Sequence, residues 1–470
     1  MKFQIVTNIF IFLISFNTAS QELIISNKLE QAYQKFVSDT QLAHAISSFY
    51  VIDGSNKIVF DKNSQVGLAP ASTQKIITSV TAFELLGKNY QYKTEFGYSG
   101  QFKKDTLKGN IVITGSGDPS LGSWRWESTK ESVIMNKLMN GIRKLKVKSI
   151  NEIELDRRYW EWNVLPDGWI WQDIGNYYGA DASKLNWREN QYDVILKSGK
   201  KVGEPVSITG YNPKLYSYQL ISLLRSAEKG TGDNAYIYLP FNSTGLIRGT
   251  IPIEETEFVI SGSFPSPAKQ LVLTLQDSLV KNKITSRRKY NEVQNDYIIN
   301  TSQPKKIIPI YSHFSPSLDS LIFYFNRRSI NLYGEALVKT IAFEKLGMAR
   351  TDSGISVIKN FWKEKGLDPH ELNIYDGSGL SPLNRVTTHA QVEILKYAKK
   401  QTWFKSFYES LPLFNGIKMK SGTISDVKSF TGYHTSRDGK EYIFSFIINN
   451  YMGSSSELVQ KMYKVLDVLK

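Results

Sequence analysis

The chain of 470 residues contains no cysteine. That excludes disulfides, thiolate nucleophiles, iron–sulfur clusters and Cys-ligated zinc. Histidine is scarce. His44, His313, His370, His389 and His434 lie far apart and none forms His-Glu-x-x-His, so neither a metal nor another cofactor is expected. Long apolar runs are nearly absent as well. Phe3–Phe16 is the longest, and it falls short of the ~20 apolar residues that span a membrane. Internal repeats and low-complexity tracts are missing. At 41% hydrophobic and 22% charged residues, composition excludes wholesale disorder.

The first residues have the pattern of an export signal. Met1-Lys2 gives a charged start, Phe3–Phe16 an apolar middle, and Thr18-Ala19-Ser20 a small-residue cleavage point before Gln21. Residues 1–20 are therefore expected to be removed from a protein exported to the periplasm or extracytoplasmic cell envelope; an uncleaved anchor is the alternative. Removing Lys2 takes the net charge from +14 to 14 − 1 = +13. Such a surface attracts polyanions, and export points away from nucleic acid and toward an acidic wall polymer or a membrane surface as a peripheral partner. The basic runs, such as Arg143–Lys148, Arg287-Arg288-Lys289 and Lys305-Lys306, are short and scattered, which equally suits a solvated basic surface.

Periodicity outlines an α/β (α+β) chain. Ser47–Phe60 reads as a hairpin around Asp53-Gly54-Ser55-Asn56. A helix follows the Pro70 breaker, with Ile76, Val80 and Phe83 in step, and stops at Gly87. From Tyr90 to about Ile310 strand-like runs dominate, among them Gly109–Thr114 and Gln270–Leu275. Helical spacing returns in Leu318–Phe325 and Leu332–Leu346. The chain ends in two strands joined by Arg437–Lys440 and a helix with Leu458, Met462, Val465 and Leu469 on one face.

Three short motifs carry chemistry. Ser72-Thr73-Gln74-Lys75 is a Ser-x-x-Lys whose ends face each other on a helix, so the Lys75 amine reaches the Ser72 hydroxyl. Nine Ser-x-x-Lys matches occur in the chain, and Ser72 is preferred because it opens an apolar helix after a proline. Ser329-Ile330-Asn331 offers a hydroxyl for proton relay and an amide for a substrate peptide group. Lys420-Ser421-Gly422-Thr423 offers a cation for a carboxylate and a glycine that lets substrate approach a strand edge. A rival set exists in Ser149/Asn151 and Lys197/Ser198, but Lys197–Lys201 reads as a hairpin turn.

The three motifs in this order are the signature of penicillin-recognising serine enzymes. Gly115-Ser116-Gly117-Asp118-Pro119-Ser120-Leu121, Asp376-Gly377-Ser378-Gly379-Leu380-Ser381, and Trp169–Asp173 running into Tyr177–Ala180 narrow the match. Together they resemble the D-Ala-D-Ala carboxypeptidase/endopeptidase family, the class C low-molecular-mass penicillin-binding proteins. The resemblance covers essentially the whole mature chain. It implies a serine β-lactamase-like core of antiparallel sheet flanked by helices, built from 21–94 and 306–470. A β-rich inserted domain is expected from 95–118 and 199–305, with a second domain nested at 119–198. It also implies roles. Ser72 attacks the carbonyl between two D-Ala residues of a peptidoglycan peptide, and Lys75 is the base. Ser329 carries the proton to the leaving amine and Asn331 binds the penultimate peptide. Lys420, Ser421, Gly422 and Thr423 hold the terminal carboxylate, and the Ser72 and Thr423 N–H groups form the oxyanion hole, at ~3 kcal/mol per donor. β-Lactams enter the same path and stall as acyl-enzymes. The rival readings are a serine β-lactamase-like hydrolase and a catalytically silent wall-binding protein.

Two features depart from the pattern or add to it. The third motif has Ser421 where threonine is commoner, and Pro382 stands where some members have an arginine for a diaminopimelate carboxylate, with Arg385 further on. Seven of nine tryptophans, Trp124 to Trp187, crowd into 64 positions. Stacking on sugars is one use for them, and filling the core of an inserted domain is the favoured one. Asp118, Asp156, Asp167 and Asp173 are read as caps, turns and solvated charges, and Asp376 as the shaper of a loop.

Overall fold

A computed structural model describes residues 25–156, 159–161, 165–216, 218–239, 244–287 and 306–470. The expected export signal, Trp162, Arg288-Lys289 and Lys305 lie outside the described residues. The chain forms two compact units, one of residues up to Thr81 with Ile322–Ser329 and Ile358–Lys470, the other of Ala82–Leu321 with Ile330–Val357.

The first unit is built on a six-stranded sheet from both ends of the chain. Its order is Leu413–Phe414, Ile417–Ile424, Val427–Thr435, Glu441–Asn449, Ile46–Asp53 and Ile58–Lys62, antiparallel throughout. The central Glu441–Asn449 strand buries every residue from Tyr442 to Ile448, the pattern of a strand covered on both faces. One face packs Phe49, Phe444 and Phe446 against Tyr33 and Phe36 of the helix at 25–37 and Leu458, Met462 and Val465 of the last helix, Ser455–Leu466. The other face carries hydroxyls. Thr431 and Ser445 both donate to Gln391 Oε1 on the Thr388–Ala398 helix (2.7 Å each). The expected hairpin, the helix after Pro70 and the terminal strand pair are all present.

The second unit has two apolar cores. In one, the strands Lys93–Lys103, Thr106–Thr114 and Ile308–Phe314 pack on the helices Glu131–Lys144 and Pro267–Lys281 through Phe96, Ile111, Leu138, Leu271 and Leu275. In the other, the strands between Gln191 and Ser263 enclose Tyr192, Val194, Ile237 and Ile247. Asn331–Leu346 is a helix whose first twelve residues are all buried, and its buried Lys339 is matched by the Ala182 carbonyl at 2.9 Å and by Glu161 at 3.1 Å.

One expectation is corrected here. Gln270–Leu275 is not strand-like but lies inside the Pro267–Lys281 helix. Ser266 caps that helix by accepting from the Lys269 N–H, and Pro267 occupies its first turn. Ala268, Leu271, Val272, Leu275 and Leu279 then bury one stripe. The tryptophans differ in burial: Trp187 is fully buried in the core, whereas Trp124 and Trp171 are 46% and 53% exposed. Among the described residues, no helix is long and apolar enough to cross a membrane.

Candidate active site

The nucleophile turn sits at the junction of two helix types. Ala71–Gln74 form a 3₁₀ turn that continues directly into the α-helix Lys75–Leu86. In a 3₁₀ turn residues three apart eclipse. Lys75 Nζ accordingly lies 2.9 Å from Ser72 Oγ. The same nitrogen donates to the Ser378 carbonyl at 2.7 Å and stands 5.7 Å from the Phe325 ring centre. Lys75 is fully buried, and Ser72 stays partly open to solvent. The turn is held from beneath. Thr73 Oγ1 donates to the Pro70 carbonyl and accepts from Gln391 Nε2, which links it to the hydroxyls of the sheet.

Asp376 is the loop organiser that the sequence suggests. Its buried carboxylate accepts from the Gly379 and Ser381 N–H groups (2.8 and 2.6 Å), from Asn384 Nδ2 (3.0 Å) and from Gln74 Nε2 (2.9 Å). Charge-assisted bonds of this kind are about twice as strong as neutral ones. They fix the Asp376–Ser381 loop against the nucleophile turn. Gly379 is required there: its φ is +84° and an added Cβ would meet the Ala71 carbonyl oxygen at 1.9 Å. Ala71 itself has a φ of +47°, and Ser329 one of +56°. Left-handed backbone at non-glycine residues costs about 1–3 kcal/mol each and concentrates where function fixes geometry.

The third wall is the Ile417–Ile424 strand. An added Cβ on Gly422 would lie 2.8 Å from the Ser72 amide nitrogen and 2.6 Å from the Pro70 carbonyl oxygen, so this strand runs hard against the nucleophile turn. Lys420 Nζ donates to Ser329 Oγ at 3.0 Å and to the Ser421 carbonyl at 2.7 Å. Burial, then the nearby Lys75 and Lys428 cations, hold the Lys420 pKa well below the ordinary lysine value. Ser72, Lys75, Ser329, Lys420, Ser421, Gly422 and Thr423 are thus gathered in the first unit. Asn331 opens the long helix of the second unit, two residues after Ser329, and its Nδ2 donates to the Tyr178 carbonyl at 2.7 Å.

Lys428 escaped the sequence reading. It lies directly across the antiparallel ladder from Thr423 and donates to Thr423 Oγ1 at 2.7 Å. Its pKa is lowered by burial. The signal for it is the short turn between Ile424 and Val427, which sets that register. The rival motif residues serve structure instead. Ser149 is in a two-residue strand, Asn151 Nδ2 donates to Asn110 Oδ1, and Ser198 Oγ accepts from the Glu255 N–H. Arg385 is spent on its own loop, donating to the Pro382 and Asn384 carbonyls. No cluster of three or more metal-binding side chains occurs among the described residues.

A model of the D-Ala-D-Ala carboxypeptidase 3 (S13) family matches residues 29–469. The chain belongs to this family. As an S13 enzyme it is a serine-type D-Ala-D-Ala carboxypeptidase with an α/β fold. It is 23% identical over 461 residues to a D-alanyl-D-alanine carboxypeptidase of Actinomadura sp. strain R39, covering 92% of this chain and 83% of the relative. It is 22% identical over 428 residues to the carboxypeptidase DacB of Haemophilus influenzae, covering 86% and 85%. The crystal structure of penicillin-binding protein 4 (dacB) from H. influenzae superposes with a TM-score of 0.78 at 20% identity, over 93% of this S13 chain and 99% of that one. The H. influenzae protein has also been solved in complex with a β-lactam.

Proposed function

We propose that this S13 enzyme hydrolyses D-Ala-D-Ala bonds of peptidoglycan, as a carboxypeptidase on stem peptides and an endopeptidase on cross-links, through an acyl-Ser72 intermediate. The observation that carries this is the 2.9 Å contact of Lys75 Nζ with Ser72 Oγ, beside a second buried lysine bonded to Ser329. Lys75 takes the Ser72 proton as Oγ adds to the carbonyl carbon. The tetrahedral oxyanion is met by the Ser72 and Thr423 N–H groups. Ser329, polarised by Lys420, passes a proton to the leaving D-Ala amine as the C–N bond breaks. Water then adds to the ester and the same groups run in reverse. Lys420, with the hydroxyls of Ser421 and Thr423, receives the terminal carboxylate, Gly422 keeps the strand edge open to it, and Asn331 binds the penultimate peptide.

β-Lactams acylate Ser72 by the same route and hydrolyse slowly. The protein is exported by removal of residues 1–20 and works in the cell envelope, where its basic surface favours an acidic wall polymer over nucleic acid. Intact-mass spectrometry after brief incubation with benzylpenicillin tests the proposal. One persistent adduct is expected, absent in Ser72→Ala and kept in Ser149→Ala. A folded wild-type protein that gains no adduct and leaves the antibiotic intact overturns it.

A further inference from the structure

Trp124 is exposed in an enzyme whose nucleophile chemistry makes no use of it, and it borders an open groove of about 520 Å³ in the second unit. Thr274, Asp277, Ser278 and Lys281 of the Pro267–Lys281 helix line it, together with Tyr216. The groove has the chemistry of a sugar site. Two rings border it. Trp124 carries the Arg125 guanidinium at 5.5 Å, and Tyr216 carries the Lys214 ammonium at 4.8 Å. The Tyr216 hydroxyl donates to Asp277 at 2.5 Å, which fixes the ring and leaves a carboxylate facing the groove for ligand hydroxyls. Three of the lining cations are matched, Lys130 by Glu127, Arg188 by Glu131 and Lys214 by Asp277, and Lys281 adds the excess positive charge.

A second observation points at the same place. Arg188, Glu189 and Asn190 have φ values of 54°, 52° and 55°, three consecutive non-glycine residues in left-handed conformation. Such strain persists only where the surroundings over-determine it. Glu189 supplies the anchor: buried, it pairs with Arg125 at 2.7 Å and accepts from Ser123 and Tyr333. The turn sends Glu189 inward and leaves Arg188 lining the groove. There one terminal nitrogen of Arg188 binds Glu131 and its buried Nε has no hydrogen-bond partner.

We propose that this groove binds the amino-sugar backbone of the wall polymer where it is free of stem peptide, with hydroxyl and N-acetyl groups against Trp124, Tyr216 and Asp277 and the carboxylates freed by peptide removal toward Lys281 and Arg188. The assignment rests on the peptidoglycan function proposed above for the polymer's identity. Ring faces, a fixed acceptor and the added charge of Lys281 fit a carboxylate-bearing glycan better than an apolar peptide.

Calorimetric titration with glycan strands stripped of peptide, and separately with soluble stem peptides, tests it on the mature chain. Wild type is expected to bind the strands saturably. Trp124→Ala, and Ser278→Trp, which fills the groove, should each weaken binding at least 10-fold. Both should keep the benzylpenicillin adduct and wild-type turnover of soluble stem peptides. Trp124 is on the surface, so Trp124→Ala preserves the test if the filled variant fails to fold. Strands that do not bind wild type, variants that bind them equally well, or stem peptides that displace them overturn the proposal. Loss of the penicillin adduct in wild type would instead overturn the function on which it rests, and the two failures are read separately.

Discussion

At the scale of single residues, the site places charge where burial opposes it. Lys420 is enclosed among neutral oxygens with two further cations near by, and its pKa is depressed. The unfolded chain keeps that proton up to the ordinary lysine value, so native stability rises with pH between the folded pKa and 10.5. Replacing the charge by an apolar side chain of similar length removes the deficit. Lys420→Met should therefore stabilise the protein, by about 1 kcal/mol or more at pH 6 and by less at pH 10, while kcat/KM on stem peptides falls at least ~100-fold. Thermal melts at the two pH values, set beside turnover, check this; a variant no more stable than wild type at pH 6 refutes it. Asp118 and His313 give a second pH effect. Both are buried, with Oδ2 and Nε2 3.9 Å apart. Burial pushes Asp118 up to about 6, and burial aided by Lys137 pushes His313 down to about 4. Between about pH 4 and 6 the native Asp118 holds a proton that the unfolded chain releases, so stability falls as pH rises. Over nearly the same window the unfolded chain charges a histidine that stays neutral when native, so stability rises with pH. The two slopes oppose each other. Asp118→Asn should expose the rising slope alone, and denaturant midpoints at pH 4.5, 5.5 and 6.5 will show it; an unchanged profile excludes the pair as its source.

At the scale of elements, the Asp376 loop determines the shape of the nucleophile turn. Asp376→Ala leaves the Gly379 and Ser381 N–H groups without their acceptor and takes from the Gln74 and Asn384 amides one of two acceptors each, the other being a backbone carbonyl, and should cost on the order of 3 kcal/mol. Gly379→Ala adds a clash with the Ala71 carbonyl at a φ of +84°. Both should slow benzylpenicillin acylation far more than Ser149→Ala does, which stopped-flow acylation rates measure directly; equal rates would mean that the loop does not position Ser72. Local features of this region were legible in the sequence. Ser-x-x-Lys is a contact between residues three apart, so the 2.9 Å approach follows from helix geometry. Asp-Gly-Ser-Gly reads as a loop because its residue types demand one. What the sequence hid depends on tertiary register. Gln74 meets Asp376 across 302 positions, and Lys428 meets Thr423 only because the ladder pairs them. The Gln270–Leu275 error has a local cause. Six residues are too short a window to separate alternation from a helix whose cap, Ser266, lies outside it.

At the scale of the whole molecule, charge and chemistry sit on different length scales. Lys75 and Lys420 are buried and reach Ser72 and Ser329 within about 3 Å, where salt screens little. The net charge of +14 is spread along the sequence in short runs and acts at long range. Raising sodium chloride from 20 to 300 mM shortens the Debye length from roughly 20 Å to roughly 6 Å. A soluble stem peptide that meets only the buried cations should be turned over at a rate that changes less than ~2-fold. Insoluble sacculi, polyanionic over distances far beyond the site, should be digested about 10-fold more slowly because the enzyme collects less readily on them. Digestion rates on the two substrates across the salt series separate the effects. Parallel loss on both would mean that the salt acts at the carboxylate pocket itself, and salt-independent digestion of sacculi would mean that the basic surface is a solvated coat with no part in finding the wall.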